Sequence, residues 1–189
     1  MLDAGLARRI RLVGLDVDGV LTDGGIYLGT AAGSPVELKR FHILDGVGVR
    51  LLRAAGLHVV VVTGRPSEAS ELRAKEMGVD ELLQVPPDQK LSALEGALER
   101  RGLTLNECAY VGDDLADLQI LRSVALPIAV ANAAPEIKAA ARIVTPLSGG
   151  QGAVRLVAEM LLQARGEWRG LIEQIYEVRD VADRAQRSR

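Results

Sequence analysis

Short apolar runs alternate with stretches of helical period along most of the chain. Residues 10–17 (IRLVGLDV), 57–64 (LHVVVVTG), 108–114 (CAYVGDD), 125–132 (ALPIAVAN) and 141–146 (ARIVTP) read as short buried strands, with 81–85 (ELLQV) a weaker sixth. Between them, 45–56, 66–78, 87–102 and 115–124 carry helical spacing, and the first three stop at Gly56, Gly78 and Gly102, a residue type suited to helix C-termini. Strands that alternate with helices pair in parallel and bury both faces of their sheet, which accounts for the unbroken valines from Val59 to Val62. The pattern predicts an α/β fold, a doubly wound, Rossmann-like and mostly parallel sheet. Ligands of such sheets gather beyond the carboxyl ends of the strands.

Two regions break the alternation. Residues 24–41 (GGIYLGTAAGSPVELKRF) read as a two-stranded hairpin around a Gly/Ser/Pro turn, an extension covering about 24–42. Trp168, Leu171, Ile172, Ile175 and Val178 form an apolar stripe at helical spacing in a C-terminal tail of about 167–189, and the closing RDVADRAQRSR is mixed in charge and expected to fray. Residues 1–189 together read as one domain, with enough apolar content for one core. Tyr27 and Phe41 lie on or beside the hairpin, and Trp168 and Tyr176 lie in the tail, so Tyr110 is the one aromatic expected in the sheet core. Peripheral aromatics are covered either by folding back on their own domain or by another subunit, and the residues alone leave both open.

Charge and cysteine content narrow the function classes. With 23 basic against 25 acidic residues and a net charge of -2, no electrostatic footprint for nucleic acid or an anionic membrane is visible. No apolar run approaches the roughly 20 residues that span a bilayer. The lone Cys108 can form no internal disulfide, and MLDAGLARRIRLVG lacks the apolar core and cleavage site of a secretory signal, so a cytoplasmic location is expected.

The polar residues fall where the fold would use them. Asp16 and Asp18 end the first strand, Thr63, Gly64 and Arg65 the second, Asp113 and Asp114 the third, while Lys90 lies early in a helix and Asp117 on the one after the third strand. Singly, Thr63 could be a helix-entry residue, Lys90 a solvated lysine and Asp117 a surface group. The two acidic pairs are different, because they accumulate negative charge that something must neutralise. Hard oxygen ligands with no neighbouring histidine or cysteine point to Mg²⁺ rather than zinc or copper. His42, just before a helix, and His58, before a buried strand, fit packing or surface roles. Mg²⁺ commonly binds through one or two carboxylates plus a substrate phosphate, so phosphate chemistry leads.

In order, DVDGVLTDG, VVVTGR, the lysine of PPDQKLSAL and YVGDDLAD resemble the four motifs of the haloacid dehalogenase superfamily. HILDGVGVRLL, VANAAPEIKAAARIVT and SGGQGAVR are similar to segments of one capless branch, the phosphatases of an eight-carbon 2-keto-3-deoxy sugar acid 8-phosphate in lipopolysaccharide synthesis, and the likeness covers residues 9–166. It implies that Asp16 is a nucleophile forming an aspartyl-phosphate, and that Asp18 is the acid and base for leaving group and water. It implies too that Thr63 and the Gly64 amide hold phosphoryl oxygens while Lys90 offsets charge. Mg²⁺ would sit between Asp16, the main-chain carbonyl of Asp18 and Asp113, with Asp114 and Asp117 behind. Gly19 would permit the sharp exit from the strand.

No cap domain fits between the first motif and the helix near Asp45. The resemblance implies a homotetramer whose hairpins and tails help close neighbouring sites. Arg65 suits a substrate carboxylate through a bidentate pair, although it could equally pair with Glu68. In the related branch acting on nine-carbon sugar acid 9-phosphates that position is typically acidic, so Arg65 favours the eight-carbon acid. The loop SGGQGAVR could approach substrate, with Arg155 on the following helix. Gln151 stands where the family often has a basic residue and Val47 where an aromatic is common, which bears on substrate contacts. A response-regulator receiver, a signalling protein with a similar residue set, would need an acceptor Asp between the acidic pair and Thr63, and Asp45 reads as a helix cap instead. A noncatalytic scaffold would have no need of the full charged set.

Overall fold

The structure, a computed structural model, describes residues 2–177. A short helix α1 (Ala4–Arg9) leads into β1 (Leu12–Leu15), after which β2 (Thr22–Ala31) and β3 (Ser34–Phe41) form an antiparallel hairpin. The rest alternates: α2 (Ile43–Ala54), β4 (His58–Thr63), α3 (Glu68–Met77), β5 (Glu81–Gln84), α4 (Lys90–Glu99), β6 (Cys108–Gly112), α5 (Leu118–Ser123), β7 (Leu126–Ala129), α6 (Pro135–Ala140), β8 (Ile143–Val144), α7 (Ala153–Arg165) and α8 (Trp168–Ile172). Six strands pair in parallel in the order β5-β4-β1-β6-β7-β8. The chain therefore builds outward from β1 to β5, returns, and builds the other way from β6. The reversal flanks β1, where a doubly wound sheet opens its ligand crevice.

The doubly wound prediction holds, and burial explains it. All four residues of β1 and Val59 to Val62 of β4 are buried, as a sheet covered on both faces requires. Helix α2 turns Val49, Leu51 and Leu52 inward against α7, which contributes Val157, Leu161 and Leu162. Each such side chain withdrawn from water contributes about 1.5–3 kcal/mol. Tyr110 is the fully buried aromatic of the sheet.

Two expectations change, and a question the residues left open is answered for two side chains. Asp45 does not cap α2: the His42 side chain accepts from the Leu44 amide there, while the buried Asp45 carboxylate accepts from the Arg155 amide at the start of α7, 2.9 Å away. The hairpin turns at Ala32 and Gly33, both with positive φ, rather than at the Ser/Pro positions, because Ala31 pairs with Ser34 and a two-residue connection of this hand matches the strand twist. Two peripheral aromatics fold back on their own chain, Phe41 under the Arg73 guanidinium and Trp168 under that of Arg155, whereas Tyr27 and Tyr176 remain exposed. Val178 and RDVADRAQRSR lie outside the described residues. Among the described residues no helix is long and apolar enough to cross a membrane.

Candidate active site

The carboxyl ends of β1, β4 and β6 lie side by side, since Leu15 pairs with both Val61 and Val111. Asp16 leaves β1 there with its amide donating to the Val111 carbonyl (3.1 Å). Its carboxylate, almost fully buried, meets the Lys90 ammonium at 2.9 Å. Lys90 is the first residue of α4 and is itself buried; it also binds Asp117 at 2.6 Å. Asp117 in turn accepts from the Tyr110 hydroxyl (2.9 Å) and from the Asp113 amide (3.1 Å). This buried network fixes the cation: Lys90 cannot turn to solvent without stranding two carboxylates.

One oxygen from each of Asp16, Asp113 and Asp117 lies within 4.8 Å of the others. Burial first, then the charge of Asp117, pushes the Asp16 carboxyl up to about 8 against the opposing pull of Lys90. Asp113 is pushed up to about 7, by burial and then by Asp117 and Asp114. Lys90 is raised as well: burial works against its charge, but the Asp16 and Asp117 carboxylates outweigh it. Asp113 Oδ1 is buried with no hydrogen-bond partner among the described residues. Clustered carboxylate oxygens, one of them orphaned, fit a hard divalent cation.

The loop after β1 is shaped around Asp113. Gly19 has φ +90°, and a Cβ there would sit 1.9 Å from Asp113 Oδ2, so only glycine lets the carboxylate approach. Thr22, buried, accepts from the Gly19 and Gly24 amides (both 3.2 Å) and closes the loop. Asn132 donates to the Gly19 carbonyl (3.0 Å) and accepts from the Gly149 amide (2.7 Å), tying the loop before α7 to the one after β1. A Cβ on Gly149 would fall 1.8 Å from the Gly19 carbonyl oxygen. Sequence reading passed over Thr22 and Asn132, whose local context is that of ordinary loop residues.

The remaining singled-out residues are placed as follows. Thr63 ends β4, buried, and Gly64 packs on Pro87, with room for a Cβ only 3.1 Å from its ring. Asp18 does not join the carboxylate cluster; it pairs with Lys39 of the hairpin at 2.8 Å. Arg65 pairs not with Glu68 but with Glu37, also on the hairpin, at 2.5 Å. Asp114 is exposed, and Gln151 likewise. The Arg155 guanidinium binds Glu159 (2.6 Å) and covers Trp168. Glu37 and Lys39 were missed, although their spacing puts them on one face of β3. A cavity of about 600 Å³ lies between Leu2, Arg142 and Met160, apart from this chemistry.

Residues 84–155 match the family model for haloacid dehalogenase-like hydrolases. The 3-deoxy-D-manno-octulosonate 8-phosphate phosphatase KdsC of Escherichia coli K12 is 42% identical over 161 residues, 85% of this chain and 84% of the relative. The crystal structure of the corresponding phosphatase from Moraxella catarrhalis, in complex with magnesium ion, phosphate ion and KDO, superposes with TM-score 0.84 at 37% identity, over 90% of this chain and 96% of that one. The cobalt-bound Haemophilus influenzae phosphatase gives TM-score 0.79 at 32% identity, over 86% and 93%. The chain thus belongs to the haloacid dehalogenase-like hydrolases and, within them, to the 3-deoxy-D-manno-octulosonate 8-phosphate phosphatase family.

Proposed function

We propose that this phosphatase hydrolyses 3-deoxy-D-manno-octulosonate 8-phosphate, with Mg²⁺ as cofactor, at the carboxyl edge of β1, β4 and β6. The observation that carries this is the convergence of Asp16, Asp113 and Asp117 beside the buried Lys90, in a chain whose Moraxella relative holds magnesium, phosphate and KDO. Asp16 attacks phosphorus and carries the phosphoryl group as an aspartyl-phosphate; Asp18 protonates the departing alkoxide and then takes a proton from the attacking water. Lys90 balances charge on Asp16 and on the transferring oxygens, while Thr63 and the Gly64 amide orient them. Asp16, the main-chain carbonyl of Asp18 and Asp113 would hold Mg²⁺, which would supply charge neutralisation. Asp117 stands behind these, because both its oxygens already accept from Lys90, Tyr110 and the Asp113 amide. Asp114 adds negative charge near Asp113 from the exposed side.

Arg65 meets the substrate carboxylate, which favours the eight-carbon acid over a nine-carbon acid 9-phosphate. Exposed Ile26, Tyr27, Leu28 and Leu38 on the hairpin support a homotetramer in which hairpins pack together. The cell compartment that fits is the cytoplasm. A panel of sugar phosphates assayed for phosphate release tests the function: the eight-carbon 2-keto-3-deoxy acid should be preferred, and chelation should abolish release. Release indifferent to chelator would remove the cation from the account.

A further inference from the structure

Glu37 and Lys39 lie two residues apart on β3, so both project to the side of the hairpin that faces α3 and the loop after β4. Lys39 Nζ sits 2.8 Å from Asp18. Glu37 Oε2 binds Arg65 Nη2 at 2.5 Å, and its Oε1 accepts from the Ser67 hydroxyl at 2.8 Å and lies 3.7 Å from Lys39 Nζ. The other arginine prong, Arg65 Nη1, is buried and has no hydrogen-bond partner among the described residues. An arginine grips a carboxylate best with two parallel N–H bonds. Here the protein's own carboxylate fills one prong and leaves the other open.

We propose that Glu37 is a specificity-determining residue, a tethered carboxylate that holds Arg65 until a carboxylate-bearing substrate displaces it. The proposal rests on the phosphatase function above, with Arg65 as the residue that meets the substrate carboxylate. Displacement is favoured over a permanent pair for three reasons. Both side chains reach solvent, 42% exposed for Arg65 and 22% for Glu37, so their attraction is screened. Once Arg65 leaves, Ser67 and Lys39 still face Glu37, and the carboxylate is not stranded. Two carboxylates on one guanidinium bring like charges together, so each weakens the hold of the other. The Ser67 hydroxyl, helped by Arg65 and Lys39, holds the Glu37 carboxyl below the usual range against the effect of burial, so the tether is charged at neutral pH. A hairpin that occupies Arg65 makes every incoming acid compete for it.

Glu37→Gln removes the charge and keeps an acceptor for Ser67. Calorimetric titration with the free eight-carbon 2-keto-3-deoxy sugar acid should show the variant binding about fivefold more tightly than the wild type, an amount within the reach of an exposed ion pair. In turnover, the preference for the sugar acid phosphate over glucose 6-phosphate should rise by a similar factor, carried in KM rather than kcat. With Arg65→Gln in the background, Glu37→Gln should bring no gain, since the two act through one contact. Equal or weaker sugar-acid binding by Glu37→Gln would overturn the proposal and make Glu37 a support for Arg65; so would an equal gain for glucose 6-phosphate, or no sugar-acid binding by either protein. Failure of the phosphatase function shows separately, as no phosphate release by the wild type, and the titration then still decides the role of Glu37.

Discussion

Asp16 and Asp113 carry opposite demands: each is buried among other carboxylates, yet each must be ionised to act. With ordinary carboxyl values near 3.8 raised to about 8 and about 7, both hold protons in the metal-free fold that the unfolded chain has already lost. The sign follows directly. Below about pH 4 both states are protonated; as pH rises toward about 8 the unfolded state ionises first, so these groups progressively withdraw stability from the metal-free protein. Mg²⁺ requires the ionised pair and displaces those protons. Its apparent affinity should therefore rise with pH, and thermal melts should show a larger Mg²⁺-induced increase in Tm at about pH 8 than at about pH 6. Equal increases at the two values would mean the carboxylates are already ionised without metal. Lys90 is bound into the same balance. Replacing it by Met should cost about 3–5 kcal/mol, the scale for removing one partner of a buried ion pair, because the buried Asp117 carboxylate would lose its cation beside Asp16. Chemical denaturation measures that loss, and a change under about 1 kcal/mol would mean water already reaches the pair.

At the scale of elements, the hairpin is the piece most open to adjustment. Ala32 takes φ 50° in its two-residue turn, a left-handed conformation that costs an alanine about 1–2 kcal/mol. Ala32→Gly or Ala32→Asn should stabilise the hairpin, seen as slower amide exchange along β2 and β3, and faster exchange would mean that the turn is not of this type. The core strands were legible because each is a compact apolar run between turn residues, as in Val59 to Val62. Helices α1 and α6 were not: each is six residues long, too short for a 3.6-residue period to register, and they rest on local devices, Asp3 accepting from the Leu6 amide (2.7 Å) and Pro135 at the first position of α6. The gathering of Asp16 and Asp113 could be anticipated from their strand-end positions, whereas Lys90, early in a helix, was tied to them by the family resemblance. The groups that hold them could not be anticipated. Asp45 reaches 110 residues along the chain to the Arg155 amide, and Asn132 reaches 113 residues back to the Gly19 carbonyl, contacts with no local signature. The pairing of Arg65 with Glu37 was hidden similarly, because Glu68 offered a nearer partner in sequence.

Over the whole molecule, the reversal of winding on either side of β1 brings three strand ends together, and the hairpin beside them presents two faces with different tasks. One bears Glu37 and Lys39 toward Arg65 and Asp18; elsewhere on it Tyr27 and Leu38, paired across the strands, stand 58% and 61% exposed. If hairpins associate in solution, light scattering should give about four times the chain mass, and Leu38→Asp should reduce it; a wild-type monomer would remove the shared interface. The central claim is that separated parts of the chain meet so that Asp16 can accept a phosphoryl group beside a cation. Phosphate release from 3-deoxy-D-manno-octulosonate 8-phosphate with Mg²⁺, compared between the wild type and a folded Asp16→Asn variant, tests it most directly. The wild type should turn over and the variant should lose at least about a thousandfold, since no other described carboxylate occupies the place of Asp16; a variant that keeps most of the activity would show that Asp16 is not the phosphoryl acceptor.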